Sequence, residues 1–363
     1  MGKDSTTLVT LLVQLMESGQ IMRPESFTVL CADTRMEILP LWYAAYGVIE
    51  KLKSKGIDVR IVTASMDKRF LVYMLGRGVP PPSNTFRWCT GHIKVEPMEE
   101  ALKELHSKIG EKILMLTGVR QGESAIRDGR IAMSCSKDGA ECGQGWYQEG
   151  LDSAMCSTLA PILHWRACTV WDWLKIFAPG KSFGEWSTAI LADAYGGDEA
   201  EEINARTGCC GCPLTQKDKA LEAVVRIPDW SYLSPLLELK SLYREMKKPQ
   251  YRHRQPGGQR KKDGSLSKNQ QRLGAITLEA REMFLEKFID IQNRVNDKAI
   301  LIGRPKVDFL NDEEIFRIKE LISLKTFPDG WTGEEPTGDI MLDKMYADGS
   351  VAPILFRDMV NRK

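Results

Sequence analysis

Gly2-Lys3-Asp4-Ser5-Thr6 stands directly before Thr7-Leu8-Val9-Thr10-Leu11-Leu12-Val13, an apolar run with helical spacing. A helix start leaves its first backbone N–H groups unpaired and carries the positive end of the peptide dipoles, so it attracts an anion. Gly2 lets the backbone approach a phosphate closely, Lys3 adds a charge, and Ser5 and Thr6 add hydroxyl donors. The second glycine and the Gly-Lys-Ser/Thr order of a Walker A loop are missing. An ordinary helix with a Gly-Lys-Asp-Ser cap would use the same residues.

The second chemical signal is sulfur. The chain has nine cysteines: Cys31, Cys89, Cys135, Cys142, Cys156, Cys168, Cys209, Cys210 and Cys212. Cys209 and Cys212 form a C-x-x-C pair with Gly208 before it and Gly211 within it, a metal or redox spacing. Cys89 lies in Arg87-Trp88-Cys89-Thr90-Gly91-His92-Ile93-Lys94. Its basic neighbours are expected to lower the thiol's pKa, as a metal ligand or sulfur carrier requires; a buried cysteine beside a tryptophan is the plainer alternative. Cys31 and Cys168 read as core. Cys135 and Cys142 do not have the spacing of a zinc knuckle.

Two polar clusters follow apolar runs. Residues 27–32 read as a buried parallel strand ending at Asp33-Thr34-Arg35-Met36-Glu37, and ligands of open α/β sheets bind at such carboxyl ends. An Asp-Thr helix cap satisfies the same pattern. A strand within 112–119 leads to Gly118-Val119-Arg120 and on to Glu123-Ser124-Ala125-Ile126-Arg127. Arg120 and Arg127 could clamp a phosphate, or Glu123 and Arg127 could simply pair along a helix. Residues 244–262 hold eight basic residues against Glu245 alone. Arg252, Arg254, Arg260, Lys261 and Lys262 are the candidate DNA contacts there, and a solvated charge run is the alternative.

These residues need a scaffold. The 363 residues, 43% hydrophobic and 27% charged, suit two domains or one large α/β domain with an appendage. A net charge of +1 leaves any nucleic-acid surface to local clustering. No apolar run reaches membrane-spanning length and no signal peptide is evident, so a cytoplasmic protein without membrane partners is expected. Nine cysteines in that compartment are not a disulfide framework. Strand and helix alternate through helices expected at 38–54 and 68–76, strands at 58–64 and 159–165, and a helix at 168–177 carrying core residues Trp171 and Trp173. The alternation stops near residue 226, and helices are expected at 233–246, 276–294 and 313–324. The expected domains are therefore 1–225, with a cysteine-bearing insertion near 128–157, and a helical 226–363 with the basic loop 244–262.

The opening residues resemble the pyrophosphate loop, S-x-G-x-D-S-S/T, of the ATP pyrophosphatase superfamily that includes the PAPS reductases. The leading serine and the strand that should precede it are absent from the sequence. The Cys89 block is similar to the R-W-C-T-x-x-L/I-K-x-x-P segment of DndC-like (SspD-like) DNA phosphorothioation proteins. The block Arg206-Thr207-Gly208-Cys209-Cys210-Gly211-Cys212-Pro213-Leu214-Thr215, with Asp218-Lys219 after it, resembles their R-x-G-C-W-x-C-T segment. The fold implied is an adenine-nucleotide α-hydrolase-like parallel sheet with flanking helices, its first strand missing, plus the mainly helical C-terminal domain.

The resemblance implies an ATP pyrophosphatase that adenylylates a DNA backbone phosphate, releasing pyrophosphate. Lys3, Asp4, Ser5 and Arg120 would be catalytic. Gly2, Thr6, Asp33, Thr34, Glu37 and Gly118 would join them in binding ATP with Mg2+. Sulfur would come from a cysteine desulfurase, alongside other proteins of the phosphorothioation system. Cys89, Cys209 and Cys212 would ligate a 4Fe–4S cluster, with zinc as the other candidate metal. Cys156 is the chosen fourth ligand, while Cys135, Cys142 and Cys210 stay open. A sulfonucleotide reductase acting on APS or PAPS is a second reading, disfavoured because no cysteine follows Cys212. A third is an iron–sulfur DNA-binding or scaffold subunit with an inactive loop.

Overall fold

Thr6 donates its backbone N–H to the Gly2 carbonyl at 2.9 Å, and the helix α1 runs over Lys3–Glu17. Its apolar stripe, Val9 and Val13, packs with Val29, Trp171 and Trp173 in one core cluster. Trp173 donates its indole N–H to Thr10 Oγ1 at 2.9 Å, which lets both tryptophans serve as buried core, as read. The computed structural model describes residues 1–122, 147–149, 155–197, 208–255, 264–265, 272–339, 343–345 and 350–353. Arg127, Cys135, Cys142, Arg260, Lys261 and Lys262 lie outside the described residues.

Strand β1 (Thr28–Asp33) pairs in parallel with β2 (Asp58–Thr63), register Thr28↔Asp58 to Asp33↔Thr63, and α2 (Leu39–Ser54) connects them. Helical turns at Trp88–Thr90 and Gly91–Val95 lead into α3 (Glu96–Ile109). Strand β3 (Ile113–Leu116) then pairs in parallel with β5 (Cys156–Leu159), whose other edge takes β4 (Tyr147–Glu149) antiparallel. The result is a mixed α/β arrangement of small parallel sheets and many helices.

Among the described residues the expected single sheet is divided, β1 pairing with β2 and β5 with β3 and β4. The residues ahead of β1 form the helix α1, and among the described residues no ladder joins β1 to β3. Leu114 of β3 is accordingly 54% exposed, although parallel strands are normally covered on both faces. The strand expected at 159–165 ends at Leu159; Pro161 cannot donate to a ladder. The helix expected at 68–76 is a tight turn at Met66–Lys68 followed by a wide one at Val72–Gly76. The helix expected at 168–177 is α4 (Ala167–Asp172) and a wide turn over Trp173–Phe177.

Beyond α5 (Lys219–Val224), the run expected as a helix at 233–246 begins as a tight 3₁₀ stretch over Pro228–Leu237. Pro235 has no N–H for an α-helical bond, so α6 spans only Glu238–Glu245. The long helices α7 (Leu278–Leu301) and α8 (Asp312–Ser323) follow, each with a side-chain cap from Thr277 and Asn311. Met36, Phe70 and Ile93 share one core cluster with Leu233, Phe284, Phe288 and Ile318, so the core runs continuously across residue 226. Burying each phenylalanine contributes about 2–3 kcal/mol relative to exposure. No helix among the described residues is long and apolar enough to cross a membrane.

Candidate functional site

The start of α1 is built against the chain that leaves β3. A Cβ added to Gly118 would lie 2.8 Å from both the Asp4 carbonyl carbon and the Ser5 nitrogen. Only a residue without a side chain lets the two backbones approach this closely. Arg120, two residues on, donates Nε to Asp4 Oδ1 and Nη1 to the Trp165 carbonyl at 3.1 Å. Lys3 reaches the other Asp4 oxygen at 3.2 Å. One carboxylate therefore holds two cations beside the positive end of the helix dipole.

Tyr195 completes this corner, and nothing local in the sequence signals it. Its hydroxyl accepts the Lys3 amide at 3.1 Å, and the Lys3 ammonium lies 5.1 Å from the ring centroid. Ser5 is exposed. The Thr6 and Thr7 hydroxyls are buried with no hydrogen-bond partner, which is rare for buried hydroxyls. The structure thus brings the loop residues Gly2 to Thr6 together with Gly118 and Arg120.

The tip of β1 forms the next wall. Asp33 Oδ1 accepts the Arg35 amide at 2.8 Å, and Thr34 Oγ1 donates to Glu37 Oε1 at 2.9 Å. These residues make the local turn that a cap would make, and they also contact the C-x-x-C segment. Glu37 bridges Cys209, and the Cys210 amide donates to the Met36 carbonyl at 2.6 Å. Gly211 sits at φ 64°, where a Cβ would lie 2.6 Å from Leu239 Cβ. Asp218 accepts the Gly211 amide at 2.8 Å and the Leu221 amide at 3.1 Å, capping α5. Lys240 donates to the Cys212 carbonyl.

Lys94 is the centre of the thiol group. It keeps solvent access, and its burial, the largest single influence, pulls its pKa down. Cys209, Glu37, Cys212 and Cys89 together outweigh that and leave it raised. The thiols themselves behave opposite to expectation. Burial pushes Cys89 up, with Cys212 adding to it, and burial pushes Cys209 up to about 12 despite Lys94. His92 is shifted down, first by burial, and so is a weak source of positive charge. Desolvation beats the basic neighbours that suggested a low thiol pKa. Tyr243 is a further residue that the sequence did not mark: its buried hydroxyl has no partner, and its pKa is raised by burial and then by Cys210, Cys209, Cys212 and Cys89.

Cys89, Cys209 and Cys212 lie near enough to Lys94 to feel its charge, whereas Cys156 is not among its neighbours. It is the first residue of β5, paired with Ile113, at the far end of that strand from Gly118. Cys210 is buried in the core. Among the described residues no group of three or more His, Cys, Asp or Glu side chains is arranged to hold a metal ion.

Two of the five candidate DNA contacts in the basic run, Arg252 and Arg254, lie among the described residues. Arg252 and Arg254 are each 6% exposed. Arg252 donates to the carbonyls of Gly274 (2.5 Å) and Leu273 (3.0 Å), and burial pulls its pKa down to about 10. Neither side chain is presented to a DNA backbone. A cavity of about 350 Å3 lined by Arg23, Thr28, Asp58 and Lys108 lies at the amino ends of β1 and β2, opposite the edge described here.

Residues 1–176 match the family model of the phosphoadenosine phosphosulfate reductase domain. The match takes in the α1 start, β1, Cys89, Gly118 and Arg120, and it ends before Cys209 and Cys212. An uncharacterized protein of Methanocaldococcus jannaschii is 27% identical over 176 residues, 48% of this chain and 34% of that protein. The chain thus spans about a third of that relative's length. No solved structure matches.

Proposed function

Taking a PAPS reductase-like domain in residues 1–176 as the premise, we propose that the chain is an ATP pyrophosphatase acting in DNA phosphorothioation. The observation that carries the ATP half is the backbone packing of Gly118 on Asp4 and Ser5, which sets Lys3 and Arg120 on one carboxylate beside the helix start. A triphosphate seated there would compete with Asp4 for both cations. An acceptor oxygen would then attack the α-phosphorus, the α–β P–O bond would break, and pyrophosphate would leave with its charge on Lys3, Arg120 and the helix start. Mg2+ would enter with the nucleotide phosphates.

The DNA phosphate as acceptor is taken from the resemblance of the Cys89 and Cys209 blocks to DndC-like proteins. A persulfide from a cysteine desulfurase partner would attack the activated DNA phosphorus through its outer sulfur and expel AMP, and a second thiol would then reduce the S–S bond, forming a disulfide and leaving the phosphorothioate. Cys89, Cys209 and Cys212 would hold the iron–sulfur cluster, which would supply a sulfur-handling centre when bound. Lys94 would balance the negative charge of these thiolates once they are deprotonated, as metal binding requires.

The test is product analysis with ATP, Mg2+ and DNA. Pyrophosphate should appear, with AMP joined to the DNA, and Lys3→Ala should abolish both. Release of ADP and phosphate, or turnover that Lys3→Ala leaves intact, would defeat the proposal. The family match itself favours a second reading, reduction of a sulfonucleotide. Thioredoxin-dependent sulfite release from PAPS would establish that reading instead, although the last cysteine of this sequence is Cys212.

A further inference from the structure

Arg35 has φ 60°, a left-handed backbone that only Arg35, Glu185 and Lys325 share among the described non-glycine residues. Such a conformation costs an arginine about 1–2 kcal/mol and persists only where the surroundings impose it. The side chain shows what imposes it. Arg35 donates Nε to Glu314 Oε1 at 3.3 Å and Nη2 to Glu314 Oε2 at 3.2 Å, and it pairs with Asp308 at 3.0 Å. Arg69 donates to the same Glu314 Oε1 at 3.2 Å. Glu314 is 2% exposed and also accepts the Asn311 amide at 3.0 Å.

The next residue after Arg35 is Met36, whose carbonyl holds the Cys210 amide, and then Glu37, which bridges Cys209. A tether therefore runs from α8 through Arg35 to the thiol segment. Docking of α8 does not depend on it. Ile318, Leu321 and Ile322 are in the core, and Arg317 grips both Asp67 oxygens at 2.7 and 2.8 Å.

We propose that Glu314 is a positioning residue: by holding Arg35 it fixes the 33–37 turn, and through that turn the Cys209–Cys212 segment, from the helical C-terminal region. What the positioned segment does rests on the function proposed above; the positioning itself does not.

Hydrogen–deuterium exchange of the full chain, read by peptide mass, tests this with two variants. Glu314→Gln removes the charge at constant size. Arg35→Gly removes the tether while keeping the left-handed backbone accessible. Both should speed exchange in peptides covering 33–37 and 208–212 by about 10-fold or more, with α2 and α7 unchanged, as local rather than global opening does. Arg317→Ala, which loosens α8 without touching Arg35, should leave those two peptides at the wild-type rate. Wild-type exchange at 208–212 in Arg35→Gly overturns the proposal, and so does a uniform rise across the chain in Glu314→Gln. Arg35→Gly decides the matter if Glu314→Gln does not fold.

Turnover gives a second readout. KM for ATP should rise about 10-fold in both variants, because Asp33, Thr34 and Glu37 of the turn that Arg35 fixes are candidate ATP contacts, and an unchanged KM beside wild-type exchange at 33–37 overturns the proposal. Absence of pyrophosphate release from the wild-type protein defeats the function instead and leaves exchange to decide the positioning.

Discussion

Gly118→Ala is the sharpest perturbation of the nucleotide corner. The new Cβ would sit 2.8 Å from the Asp4 carbonyl carbon and the Ser5 nitrogen and 3.0 Å from the Asp4 oxygen, against an ordinary contact of 3.4 Å or more. All three are backbone atoms, so no side chain can rotate away, and one backbone must move by about 0.6 Å. Overpacking of this kind costs about 1–3 kcal/mol. For a chain of this size that lowers Tm by a few degrees. The displaced atoms are the ones proposed to cradle phosphate, and misplacement approaching 1 Å costs up to about 100-fold in rate. We therefore expect kcat/KM for pyrophosphate release to fall between about 10- and 100-fold. Gly208→Ala is the control, since a Cβ there meets nothing within 4 Å among the described residues; it should match the wild type. A Gly118→Ala enzyme with unchanged kcat/KM and a lowered Tm would keep the packing and refute the placement of the site. Unchanged values of both would refute the packing as well.

Tyr195→Phe removes the acceptor of the Lys3 amide and keeps the ring; KM for ATP should rise about 3- to 10-fold, and an unaltered KM takes Tyr195 out of the site. Arg317 holds the Asp67 carboxyl below its ordinary value, so that pair stabilises the fold above the unfolded carboxyl pKa of about 3.9 and loses its effect as pH falls through the folded value. The Tm difference between wild type and Asp67→Asn should be small, because the pair is partly exposed, and should begin to shrink only as pH falls below about 4; a gap that widens on acidification contradicts this. Gly47→Ala lies within α2, where the new Cβ would be 3.8 Å from Ser187 Cβ. It should stabilise the protein by up to about 1 kcal/mol, seen as a higher melting temperature.

Local pattern was enough for the elements that carry the corner. Glycine before an apolar helical run gave α1, continuous apolar runs gave β1, β2 and β3, and the polar residues after them marked the turns that carry Thr34 after β1 and Gly118 and Arg120 after β3. What the pattern could not show was long-range or a matter of burial. Tyr195 is 192 residues from Lys3 and Glu314 is 279 from Arg35, separations over which neither spacing nor composition carries information. The charges at Arg252 and Arg254 look like a nucleic-acid surface in a linear count, yet both side chains turn inward. Cys89 shows the same limit: Lys94 is visible beside it in sequence, and the desolvation that outweighs Lys94 is not.

The separation of the two sheets has a thermodynamic consequence. Helix α1 touches both, through Val9 and Val13 on the β1 side and through Gly118 on the β3 side. Among the described residues no backbone ladder spans that seam, so cohesion across it comes from side chains and from whatever α1 grips. A nucleotide bound at the α1 start would act as a clasp, and part of its binding free energy would appear as resistance of the whole scaffold to unfolding.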